Sequence, residues 1–239
     1  MKTGLHIGCS GYYYPSWKKT FYPEGLQPKN WLHYYASVFN SIELNGTFYK
    51  IPKLSDLQRY VTLTPDDFTF SVKMNRYMTH ILKLKDCSQQ VADFTATIQE
   101  GLGNKLACIL FQMPPSFVYN EENLQRILDN VPRGKSHVIE FRHLSWWNPI
   151  VSDALTKAKI TFCNIDFPGL DSNIVTTTSL FYFRFHGNPE LFKSAYSLKT
   201  LRAYAKQIRE NGDQQYIYFN NTFYDAAYTN AKQLRDMIG

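Results

Sequence analysis

Residues Ser136–Trp147, S-H-V-I-E-F-R-H-L-S-W-W, read as a buried strand that turns polar at one end. Strand side chains alternate, so Val138, Glu140 and Arg142 share one side while Ile139 and Phe141 share the other. An acid and a base on one face of a core strand are costly unless they are paired or used. Either the pair only holds the fold together, or it belongs to a functional site at the end of a strand. The rest of the chain decides between these readings.

Similar short apolar runs recur on both sides of this stretch. Eight are candidate strands: Leu5–Cys9, Ser41–Asn45, Phe68–Met74, Ala107–Met113, His137–Phe141, Ile160–Asp166, Leu180–His186 and Gln215–Asn220. Helix-like segments lie between them: Trp31–Phe39, Leu54–Tyr60, Val91–Glu100, Glu121–Val131, Leu198–Glu210 and Asp225–Ile238. Pro28 and Pro52 precede two of these starts, and Gly101 and Asn211-Gly212 follow two of the ends. Strands alternating with helices over 239 residues predict one α/β domain covering residues 1–239, a TIM-type (β/α)8 barrel. A doubly wound open sheet is the alternative. There is no G-x-G-x-x-G and no G-x-x-x-x-G-K-[ST], so neither a dinucleotide nor a P-loop site is supported.

A hydrophobic content of 44% supports a large core, and the 16% aromatic content adds 17 Tyr and 17 Phe. The net charge of +6 suits an anionic small molecule or nucleic-acid phosphate, but the basic residues form no dense run. The four cysteines are far apart in sequence and read as reduced core residues. With no apolar leader after Met1 and no run long enough to span a bilayer, a cytoplasmic protein without membrane contact is expected.

Alternation places a polar residue at the C-terminal end of nearly every strand. Ser41, Glu43 and Asn45 share a face of the second strand, and Ser71 and Lys73 share a face of the third. Gln112 ends the fourth, Glu140 and Arg142 the fifth, and Asn164 and Asp166 the sixth. Tyr182, Arg184 and His186 line the seventh, and Asn220 ends the eighth. In a barrel these positions surround the mouth where active sites are built.

Seven segments carry a resemblance: G-C-S-G-Y (Gly8–Tyr12), F-Y-P-E-G-L (Phe21–Leu26), F-N-S-I-E-L-N-G-T-F-Y (Phe39–Tyr49), L-F-Q-M-P-P (Leu110–Pro115), V-I-E-F-R-H (Val138–His143), R-F-H-G (Arg184–Gly187) and Y-F-N-N (Tyr218–Asn221). In order and over essentially the whole chain, they resemble the YecE-like family, domain of unknown function 72. The resemblance implies a TIM-type barrel and no established activity. The chain departs from the family pattern at Tyr13-Tyr14, where Trp or Ser is usual, and at Gly46, where Ser is common.

Three chemistries fit these residues. In the first, Glu43 and Glu140 act as general acid and base, and Lys73, Arg142 and Arg184 clamp an anionic group. Asn45, Gln112 and Asn220 would then orient the ligand, with Tyr12 and Tyr49 beside it. In the second, Glu43, Glu140, Asp166 and His186 hold a divalent metal for phosphodiester cleavage or sugar isomerisation. Only one histidine sits well for that purpose, and the interspersed cations compete, so a metal cofactor is not favoured. In the third, the positive charge and Tyr12, Tyr13, Tyr14 and Tyr49 bind nucleic acid or a nucleotide without catalysis. A Cys9 nucleophile is a weaker option, since nothing nearby in sequence activates it.

Overall fold

The computed structural model describes residues 4–170 and 173–238. In chain order the regular elements are β1 (Leu5–Cys9), α1 (Trp31–Val38), β2 (Ser41–Leu44), α2 (Leu54–Thr62), β3 (Thr69–Lys73), α3 (Ser88–Leu102), β4 (Leu106–Gln112), α4 (Glu121–Asn130), β5 (His137–Glu140), α5 (Pro149–Ala158), β6 (Thr161–Asp166), β7 (Leu180–Phe185), α6 (Leu198–Arg209), β8 (Gln214–Phe219) and α7 (Ala226–Ile238). Every strand pairing is parallel. The order around the sheet is β1-β8-β7-β6-β5-β4-β3-β2, which curls into a nearly closed single-domain α/β barrel of the TIM type. Parallel strands covered on both faces must be apolar on both, which is why the short runs are so rich in Phe, Ile, Val and Leu.

The outward faces of the strands pack on the helices. Phe70, Phe111, Phe141, Phe162, Phe183 and Ile217 are all buried there. The inward faces make a second, smaller apolar cluster of Cys108, Leu110, Val138, Cys163, Ile165, Leu180, Tyr182, Tyr216 and Tyr218. This inner cluster corrects the sequence reading at β6. Cys163 and Ile165 point inward, whereas Asn164 faces out and binds the backbone of Val175 through both its amide groups, at 2.8 and 2.9 Å. Polarity misled there because the middle of a barrel interior is itself apolar.

The barrel closes differently between β1 and β2. A single bridge joins Ser10 to Glu43, and side chains supply the remaining backbone partners. Asn40 accepts from the Ile7 N–H at 3.1 Å and donates to the Leu5 carbonyl at 2.8 Å. The Tyr35 hydroxyl accepts from the Cys9 N–H at 2.7 Å and donates to the Ser41 carbonyl at 3.2 Å. Gly8 permits this approach, since a Cβ there would lie 2.0 Å from the Ser41 oxygen.

Six of the seven helices match the segments read from sequence, with ends differing by a few residues. The seventh, α5, begins with Pro149 after Asn148, whose side chain accepts from the Val151 N–H at 3.1 Å. That cap and proline were legible signals. Between β6 and β7 no helix occurs among the described residues.

Candidate functional site

At the C-terminal end of the barrel, three strands bring charge to one point. Glu43 on β2, Glu140 on β5, and Arg184 with His186 at the end of β7 are each fully buried. Arg184 joins the two glutamates, with Nη2 at 2.6 Å from Glu43 Oε1 and Nη1 at 2.5 Å from Glu140 Oε2. Glu43 also accepts from Ser10 Oγ at 2.7 Å and, through its other oxygen, from the Tyr182 hydroxyl at 2.7 Å. Glu140 Oε1 accepts from Arg142 Nε and lies 3.4 Å from His186 Nε2. All four carboxylate oxygens are therefore engaged.

Burial alone would raise the Glu140 carboxyl, but Arg142 and Arg184 outweigh it and hold the group well below its ordinary value. Burial depresses His186, and Arg142 adds to the effect, so its ring is neutral. That ring is fixed from both sides, by Asn220 at 2.9 Å from Nδ1 and by Arg142 Nη2 at 3.2 Å from Nε2. Below this layer the polarity becomes neutral: Tyr218 bonds to Ser41 at 2.5 Å and to Ser71 at 3.0 Å.

The rim above is built differently. Lys73 ends β3, facing inward and half-buried, with its ammonium 4.0 Å from the centre of the Phe48 ring. Among the described residues no carboxylate lies within ion-pair distance of it. Desolvation first, and the Arg184 charge second, push its pKa down to about 7. A single π-helical turn over Tyr77–Ile81, following exposed Arg76, brings His80 to the same region. Burial and the cations of Lys73, Arg76 and Arg142 lower His80 to about 4. Arg142 uses Nε on Glu140 and lays its guanidinium over Phe167, 4.3 Å from the ring centre. Among the described residues the mouth thus gathers three basic side chains, Arg142, Arg184 and Lys73, around two carboxylates, Glu43 and Glu140.

The other sequence candidates fall around this core. Gln112 is buried and donates to the Met113 carbonyl at 2.6 Å. Asn45 and Tyr12 line an adjacent cleft of 480 Å³ between the loops after β1 and β2, with Tyr13, Tyr14, Lys50 and Tyr60. Asn45 Oδ1 is buried there without a hydrogen-bond partner. Tyr49 is 74% exposed and meets Phe48 edge to face. Asp166 stands apart from Glu140 and His186: its carboxylate accepts from Asn188 at 3.0 Å, in a cleft on the outer side of β6 and β7. Asp166 is thus not gathered with Glu43, Glu140 and His186, and among the described residues no three His, Cys, Asp or Glu side chains are placed to hold a metal ion. Cys9 faces the helices, and burial raises its thiol far above the ordinary range.

Ser10 belongs to the site although the sequence reading gave it no role there, whereas the sequence places Tyr182 on the inward face of the seventh strand and offers His80 only as a candidate loop ligand of a metal. Extending the β1 alternation one step, from His6 through Gly8, would have exposed Ser10. The position of His80 depends on a turn that carries no such period.

A family model described as "Protein of unknown function DUF72" matches residues 6–239. The chain is 26% identical to the UPF0759 protein YunF of Bacillus subtilis, over 98% of this chain and 94% of that protein. It is 29% identical to the UPF0759 protein YecE of Escherichia coli, over 58% of this chain and 48% of that protein. Among solved structures, a DUF72 family protein of Thermotoga maritima superposes with a TM-score of 0.86 at 32% identity, covering 98% of both chains. Another from Enterococcus faecalis gives 0.78 at 19% identity, covering 98% of this chain and 94% of that one, a likeness of fold alone.

Proposed function

The chain belongs to the DUF72 family, and on that premise we propose that the C-terminal mouth of its barrel binds a small anion bearing phosphate or carboxylate. One observation carries the reading: the rim presents Lys73 and Arg142, and among the described residues Lys73 has no carboxylate within ion-pair distance. A ligand anion would supply the charge that the protein withholds. Arginine suits bidentate contact with either anion. In this reading Glu43 and Glu140 hold Arg184 and Arg142 in place and exchange no proton with the ligand. Proton transfer near neutral pH falls to Lys73.

The four buried, unpaired cysteines support a reducing, cytoplasmic setting. No helix among the described residues is long and apolar enough to cross a membrane.

The test is calorimetric titration of the protein with inorganic phosphate and with citrate at low ionic strength. Binding of either, weakened roughly tenfold or more in Arg142→Met, supports the reading. Arg142→Met binding as tightly as wild type, or no binding of any anion, would overturn it. Thermal melting of the variant separates lost contact from lost fold.

A further inference from the structure

Lys105 and Lys73 both lose water on folding, and their surroundings differ. Lys105 is 8% exposed, and its ammonium donates to the Val61 carbonyl at 2.9 Å, the Thr64 carbonyl at 2.8 Å and the Thr64 hydroxyl at 3.2 Å. Three acceptors suit an ammonium with three protons, so Lys105 is a cation locked into structure. Lys73 has no acceptor for its Nζ protons among the described residues. It has the Phe48 ring beneath it, and the charges of Arg184, Glu140, Glu43 and Arg142 act on it, with desolvation and Arg184 outweighing the two carboxylates. Its backbone is fixed nonetheless: the Lys73 carbonyl accepts from Thr47 Oγ1 at 2.6 Å, and β3 is paired with β4 at this residue.

We propose that Lys73 is a nucleophilic amine that forms an imine with an aldehyde or ketone bearing an anionic group. The assignment rests on the anion-binding reading of the mouth, with Arg142 taking the phosphate or carboxylate and Lys73 the carbonyl. A lysine set against an apolar surface beside other cations is the environment that frees an amine for attack at neutral pH. The lone pair of neutral Nζ attacks the carbonyl carbon, and the C=O electron pair moves to oxygen. A proton passes from nitrogen to that oxygen, giving a carbinolamine. Loss of the hydroxyl together with the remaining nitrogen proton, as water, leaves the C=N bond, and water reverses the step. No oxidant or reductant is needed. Free amine and free ammonium are both populated near neutral pH, since the group titrates at about 7.

The experiment incubates the protein with glycolaldehyde phosphate and sodium cyanoborohydride, which reduces the imine to a stable secondary amine. Intact mass and peptide mapping then read the adduct. One adduct per chain at Lys73, formed roughly tenfold or more faster than at any other lysine and rising in rate through pH 7, supports the assignment. Lys73→Arg keeps the charge, and Lys73→Met removes it; both should lose the fast adduct while keeping the wild-type circular dichroism. Labelling scattered over surface lysines, with Lys73 no faster than the rest, overturns the assignment. Two further arms separate it from the reading beneath it. If glycerol 3-phosphate binds and slows nothing at Lys73, the anion site stands and the amine assignment falls. If uncharged glycolaldehyde labels Lys73 as fast as its phosphate does, the anionic half of the assignment falls.

Discussion

Arg184 and Lys73 are both cations on inward-facing strand ends of the same barrel, yet their surroundings are opposite. Arg184 is fully buried and spans two glutamates. Lys73 is half-buried, rests on Phe48 and has no carboxylate in ion-pair range among the described residues. Burial makes the first charge dependent on its partners, because an unpaired ion in a low-dielectric interior is strongly disfavoured. Partial exposure lets the second remain uncompensated and available. Charge at one end of a barrel therefore divides into a sealed floor that sets geometry and a rim left partly open.

The largest expected effect breaks the floor. Arg184→Met strands Glu43 and Glu140 in the interior and should cost on the order of 3–5 kcal/mol in urea denaturation at neutral pH. An unchanged denaturation midpoint would show that the floor is not held by this arginine.

Glu140→Gln sharpens the same contrast through pH. The folded Glu140 is held below its ordinary value of 4.5, so the unfolded chain binds its proton first as pH falls. Its contribution is present above that pH and is lost on acidification. The variant should be less stable than wild type at neutral pH, with the gap narrowing below about pH 4.5. A gap that stays constant with pH would contradict the ion-paired floor.

A smaller effect is expected at the β1–β2 seam, where Tyr35 replaces ladder bonds. Tyr35→Phe leaves the Cys9 N–H and the Ser41 carbonyl without this partner and should cost about 1–3 kcal/mol. Amide exchange at Cys9 should quicken with it; unaltered exchange would mean the seam is closed by packing alone.

Lys73 should have the smallest effect on stability and the opposite pH sign. Its folded value of about 7 lies below the ordinary 10.5, so between those limits the unfolded chain holds the proton that the folded chain has lost. Wild-type stability should therefore rise with pH across that window relative to Lys73→Met. Near neutral pH the variant should match or exceed wild type. A variant clearly less stable there would place Lys73 in the floor.

Much of this arrangement was legible in the chain. The stretch around Glu140 and Arg142, the run S-I-E-L-N from Ser41 to Asn45, and F-Y-F-R-F-H from Phe181 to His186 show which side chains share a strand face. They also show that polarity collects at one end. At β6 the same rule failed, because Cys163 and Ile165 fill an apolar interior while Asn164 serves a loop backbone. His80 could not be placed, since an irregular turn has no period to read.

The eight-strand alternation, the inward faces of six strands and most of the charged cluster follow from the chain alone, because a period of two is local to each strand. Which charges are sealed and which remain open is settled by the closed barrel. Glu43, Glu140 and Arg184 meet across the barrel, from β2, β5 and β7, so their pairing follows from closure of the sheet. Pairing across that distance in sequence leaves no trace in the alternation of any one strand.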